Sequence, residues 1–114
     1  MTSIRKPAVA GSFYPAEPKT LHAQVTTLLR AAAAGASVPK AIIAPHAGYI
    51  YSGPIAASAY ARVAPARGTI RRVVLLGPSH RVAFHGVAAP SVDYLETPLG
   101  RIAIDRSAWR RLAD

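Results

Sequence analysis

One hundred and fourteen residues, 51% of them hydrophobic, suffice for one domain with a small core and are too few for two. Fourteen Lys and Arg against five Asp and Glu give a formal charge of +9. The basic residues are nevertheless scattered as singles or pairs (Arg5-Lys6, Arg71-Arg72, Arg110-Arg111), without the runs or interleaved aromatics that bind nucleic acid, so a basic surface favouring anionic ligands is the preferred reading. The chain has no cysteine, hence no disulfide and no thiolate ligand of its own. Residues 1–7 lack a signal-type apolar core, and Lys40 and His46 interrupt the most apolar stretch well short of the roughly 20 residues that span a bilayer. A cytoplasmic, non-membrane protein is expected.

Residues 1–16 carry no periodicity, but Ala10-Gly11-Ser12-Phe13-Tyr14-Pro15 sets two aromatics between turn formers, a segment suited to a surface or to the cover of a pocket. From Pro18, the positions Leu21, Val25, Leu28, Leu29 and Ala32 form the stripe of an amphipathic helix, with Pro18 in its first turn, Gly35 as its stop and the Ala31–Ala34 run as its end. Lys19, His22, Thr26 and Arg30 share the opposite face, so His22 reads as a solvated helix residue.

Lys40–Pro45 reads as a buried strand ending in the turn Pro45-His46-Ala47-Gly48-Tyr49. Ser52 is the expected cap of the next helix, with Pro54 in the first turn and a buried stripe of Ile55, Ala56, Ala59, Tyr60 and Val63, ended by Pro65. Free N–H groups at that helix start would favour an anion near His46. Val73–Leu76 is an uninterrupted apolar run, as in a strand covered on both faces, and leads through Gly77-Pro78-Ser79 to His80. Val87–Ala89 reads as a third strand and Leu99–Ile104 as a half-exposed one, and Asp105 caps a last helix through Trp109 and Leu112. The order of elements predicts an α/β domain over residues 1–114, with a mostly parallel sheet and flanking helices.

His46 and His80 occupy equivalent points of this plan. A strand, helix, strand order makes a right-handed crossover, which delivers both histidines to one edge of a parallel sheet, where open sheets bind ligands. A single histidine in such a turn is ordinarily a hydrogen-bonding residue, whereas two at equivalent points can share one divalent ion. Tyr49, Tyr51 and Arg81 stand in the same turns as candidate ligand-binding residues, although packing of the strand-to-helix turn is the preferred reading of the tyrosines and a solvated arginine an equal one for Arg81. Asp93 and Glu96 read as loop carboxylates paired with the arginines.

Ala44-Pro45-His46-Ala47-Gly48-Tyr49 with Tyr51-Ser52-Gly53, together with Leu76-Gly77-Pro78-Ser79-His80, resembles the signatures of the Memo family, also called AmmeMemoRadiSam system protein B. The opening Pro7-Ala8-Val9-Ala10-Gly11-Ser12-Phe13-Tyr14-Pro15 and the later Glu96-Thr97-Pro98-Leu99-Gly100 match as well. That family is similar in fold to class III extradiol ring-cleaving dioxygenases, so the resemblance implies a dioxygenase-like α/β fold of which this chain is the N-terminal part. It also implies that His46 and His80 are two of the metal ligands, with Fe(II) foremost and Cu or Zn as alternatives. The other ligands, a Cys and further histidines, would lie in chain beyond residue 114, and His85 falls where the family has no ligand. The implied activity is an oxidoreductase acting on a small molecule. The competing expectation is a non-catalytic module for a metal or a phosphotyrosine-containing peptide. Two ligands without a third predict weak metal binding, and a poorly covered sheet predicts self-association.

Overall fold

The structure, a computed structural model, describes residues 1–33, 35 and 37–113. It is an α/β arrangement, as expected. Strands β1 (Ile4–Arg5), β2 (Tyr94–Thr97) and β3 (Gly100–Ala103) form a mixed sheet in that order, and helices α1 (Pro18–Ala31), α2 (Tyr49–Tyr60) and α3 (Arg106–Ala113) accompany it. Strand β1 runs parallel to β2, with Ile4 opposite Tyr94, and β3 returns antiparallel, with Tyr94 opposite Ala103. Among the described residues no helix is long and apolar enough to cross a membrane.

Helix α1 begins where the sequence places it. Its cap is Glu17, whose carboxylate accepts from the Lys19 and Thr20 N–H groups at 3.0 and 2.7 Å, so the first orphan donors are satisfied ahead of Pro18. Leu21 is buried, Val25, Leu28 and Leu29 are half-buried and His22 is exposed, so the stripe has the expected face. The helix ends at Ala31 rather than running toward Gly35, because the Ala32 N–H turns back to the Leu29 carbonyl at 3.3 Å. Ala34, in the expected alanine-run helix end, lies outside the described residues.

Helix α2 starts three residues before the expected cap. Gly48 caps it, and Ser52 lies inside, where its hydroxyl bonds backward instead of capping forward. Pro54 is therefore interior and leaves the Ile50 carbonyl without its helical donor. The face turned to α1 is Ser52, Gly53 and Ala57, whereas Ile55, placed in the buried stripe by its spacing, is 65% exposed. The packed face is offset by one position from the expected stripe, with Ala56 and Ala57 on it and Ile55 off it. The small residues meet Leu28, which a Cβ on Gly53 would touch at 3.2 Å.

The sheet departs most from expectation. Residues 40–45, 73–76 and 87–89 carry no strand pairing, and Val73, Val74, Leu75 and Leu76 stand 76–78% exposed. A strand is stable only when its N–H and C=O groups meet a neighbour, and no described segment pairs with these runs. The paired strands come from the ends of the chain instead. Asp93 secures them, accepting from the Ser3 N–H and hydroxyl at 2.9 Å each and from Arg106 at 3.1 Å. Gly100, at φ +140°, supplies the reversal into β3, whose residues are all exposed. Asp105 caps α3 as expected, accepting from the Ala108 N–H at 3.0 Å.

Candidate metal centre

Although the two segments before them do not pair, His46 and His80 meet. Their Nε2 atoms lie 3.1 Å apart, with ring centroids at 5.3 Å and planes inclined by 39°. Two imidazole nitrogens bound to one metal at about 2.0–2.1 Å, roughly 100° apart, are themselves separated by about 3.1 Å. The pair therefore has the spacing of adjacent ligands on one ion, and the same distance admits a hydrogen bond in which one ring N–H donates to the other ring's lone pair. Both side chains are exposed. Among the described residues no third His, Cys, Asp or Glu completes a ligand group with them.

Local bonding holds each turn. The Ser52 hydroxyl, on a residue 7% exposed, donates to the Ala47 carbonyl at 3.0 Å and ties the residue after His46 to the first turn of α2. The Tyr49 N–H donates to the Phe13 carbonyl at 2.8 Å, binding the aromatic N-terminal loop to the same turn. That loop is itself closed by the Gly11 N–H donating to the Tyr14 carbonyl at 2.7 Å, with Gly11 at φ +87°, where a side chain would be strained. On the other side, the Ser79 hydroxyl donates to the Val82 carbonyl and closes the turn that presents His80.

Of the other candidates, Tyr49 is half-buried. Its ring lies 5.7 Å from that of Tyr14, and burial, reinforced by Tyr14 and Tyr60, raises its phenol above the ordinary tyrosine range. Tyr51 is 83% exposed, and Arg81 and His85 are exposed as the two histidines are. Glu96 bonds Lys6 at 2.7 Å and Arg101 at 2.9 Å, and Asp93 bonds Ser3 and Arg106; both carboxyls are held below the usual carboxylate range by those hydrogen bonds. Ser52 is the residue whose position the sequence did not reveal, because a serine four residues after a glycine-containing turn reads as a cap and not as a brace for that turn.

Beside His46 lies a cavity of about 500 Å³ between α1, α2 and the Val9–Tyr14 loop. The sequence signal for it was the pair Phe13-Tyr14 among turn formers.

The described residues thus form an α/β chain that brings two histidines from separate loops together. The Memo-like protein family model matches residues 5–114, and this chain belongs to that family. It is 43% identical to Protein MEMO1 of Xenopus laevis over 108 residues, covering 95% of this chain and 36% of that protein. It is 42% identical to the human Protein MEMO1, with the same coverage, and 39% identical to a MEMO1 family protein of Methanopyrus kandleri, covering 89% of this chain and 38% of that one. The chain thus spans just over a third of the length of these relatives.

Proposed function

We propose that His46 and His80 form the two-histidine part of a metal site, holding a divalent transition ion, Fe(II) foremost with Cu or Zn as alternatives. The observation that carries this reading is the 3.1 Å approach of two Nε2 atoms from turns 34 residues apart, each braced by its own serine. The donor set suits such an ion: two neutral nitrogens are borderline ligands that accept Fe, Cu or Zn and disfavour Mg or Ca. When bound, the ion supplies Lewis acidity and, for Fe or Cu, redox chemistry. The protein's own part is to aim both imidazoles, to hold the His46 turn through Ser52 and to offer an apolar cavity next to the histidines. In a family-length protein this supports an oxidoreductase of the dioxygenase type acting on a small molecule, in a cytoplasmic setting.

One observation favours the second reading, a binding module without turnover. The carboxylates nearest in sequence to the site, Asp93 and Glu96, are engaged by Ser3, Arg106, Lys6 and Arg101, so no described carboxylate stands at the histidines as a general base. Titration of the metal-free chain with Co(II) and Zn(II), followed by absorbance and calorimetry, tests the shared core of both readings. Weak one-to-one binding that vanishes in the His46→Ala, His80→Ala double variant is the expected result. Affinity unchanged by both substitutions would remove the proposal. Oxygen uptake by the Fe(II)-loaded protein with aromatic substrates, set against phosphotyrosine-peptide binding, then separates the enzyme from the module.

A further inference from the structure

We infer that α3 docks flat on an anionic lipid bilayer, with Trp109 and Leu112 entering the interface and the arginines of the helix meeting the headgroups. The inference uses none of the residues of the histidine site and is independent of the function proposed above. Its first ground is the way α3 is held. Among the described residues no helix or strand packs broadly against it. Charged bonds fix its start instead: Arg106 reaches Asp93 at 3.1 Å, and Asp105, the cap, meets Arg72 at 3.5 Å. A helix of eight residues is shorter than the roughly 12–15 that hold an isolated helix together in water, so it is stabilised most by a surface that takes its apolar side.

That side is sharply defined. At about 100° per residue, Ala108, Trp109 and Leu112 fall within an arc of about 100°, and Arg106, Arg110 and Arg111 occupy the rest of the helix surface. Leu112 is 79% exposed, and no residue of α3 is buried. Charge then selects the partner. Over residues 101–114 four arginines stand against two aspartates, and the exposed Arg72 joins them beside the Asp105 cap. A nucleic acid would meet the arginines and leave Trp109 and Leu112 in water, whereas a bilayer carrying anionic lipid takes both sides of the helix at once. The contact lies on the membrane and does not cross it, in keeping with the absence of a spanning helix among the described residues.

The test mixes the dilute 114-residue chain with vesicles of phosphatidylcholine alone or of phosphatidylcholine with phosphatidylserine. Trp109 is the one tryptophan of the chain, so its emission reports on α3 directly. The expected result is a saturable blue shift with the phosphatidylserine vesicles and at least about tenfold weaker binding to phosphatidylcholine alone. Binding weakens as salt rises, the opposite of association through apolar surface. Arg110→Gln with Arg111→Gln weakens it roughly tenfold, Leu112→Gln roughly fivefold, and Lys19→Gln with Arg30→Gln, which removes two charges from α1, less than about twofold. Circular dichroism confirms that each variant is folded, and the Trp109 shift of the unsubstituted chain stands without any of them. No shift with phosphatidylserine vesicles, equal binding to both kinds of vesicle, or equal weakening by the α1 and α3 charge variants would each overturn the inference. So would the same Trp109 shift on adding duplex DNA, or on raising the chain concentration without lipid, which would assign α3 to a nucleic acid or to a second copy of the chain.

Discussion

At the scale of single residues the site depends on two kinds of side chain, those that point at each other and those that hold the turns. On the proposed metal reading His46 and His80 would act as a chelate, so removing one would forfeit most of what removing both does. His46→Ala alone is therefore expected to lower Co(II) affinity nearly as far as the double variant, a non-additivity that parallel titrations of the two singles and the double would register. Ser52 belongs to the second kind. Its buried hydroxyl satisfies the Ala47 carbonyl next to His46. Ser52→Ala should cost about 1 kcal/mol of stability by leaving that acceptor unpaired. It should also weaken metal binding roughly tenfold by loosening the turn, as loss of a ligand's supporting bond commonly does. Denaturant melts and the metal titration check the two effects separately, and Ser52→Thr, which keeps the hydroxyl, should restore affinity. An unchanged metal affinity in a folded Ser52→Ala protein would mean that the His46 turn is held by its backbone alone.

At the scale of elements, the helices and the strand β3, expected over Leu99–Ile104, were legible in the sequence, and the rest of the sheet was not. Helix α1 follows from a stripe that recurs over three turns, and α3 from the Asp105 cap, because both signals are local. The boundary of α2 escaped because Ser52 and Pro54 imitate a helix start that Gly48 already supplies. The other strands escaped for a different reason: pairing is decided by distant partners, so the apolar runs at residues 41–44 and 73–76 read as strands yet carry no pairing, while short, mixed segments at 4–5 and 94–97 pair across ninety residues. The histidine pair was legible all the same, since it required only that the two turns converge. What joins the sheet to the rest is a set of charged bonds. Hydrogen bonds from the Ser3 backbone and side chain, then from Arg106, hold the Asp93 carboxyl below its ordinary range, and Asp105 and Glu96 are lowered by their own donors. A folded-state value below the unfolded one means that the stabilisation is present above the ordinary carboxylate range and is lost as pH falls through the lowered values. Thermal melts followed by circular dichroism should thus hold steady from neutral pH to about 4 and decline below it. In Asp93→Asn that decline should flatten, and the β1 amides should exchange faster than in the parent. An equal acid slope in the variant would show that Asp93 is not the group that couples β1 to β2 and α3.

At the scale of the whole molecule, the decisive quantity is uncovered surface. The chain exposes 9469 Å², against about 6,000 Å² for a compact monomer of its mass, and its radius of gyration of 15.4 Å exceeds the roughly 13 Å of a compact domain of this length. The apolar residues buried among those described are Leu21 and Ala57, whereas Ile43 is 98% exposed and Val73–Leu76 stand uncovered together. A run of four branched aliphatic residues is the composition of a strand buried on both faces, and left open it presents both apolar side chains and unpaired backbone to any matching edge. The chain spans 36% of the length of its Xenopus laevis relative, and no described segment pairs with this run. The net charge of +9 opposes association, but it is spread over the surface and screened within about 10 Å at ordinary salt, so it does not protect a contiguous apolar run. The isolated chain is therefore expected to associate as concentration and salt rise, and to melt over a broad range. Replacing Val73 and Leu75 by Lys should restore the monomer without disturbing the α1–α2 contact. Analytical ultracentrifugation at low and high salt, beside differential scanning calorimetry, measures both properties. A salt-indifferent monomer with one sharp transition at high temperature would mean that the small α1–α2 contact and the Asp93 clamp stabilise the chain unaided.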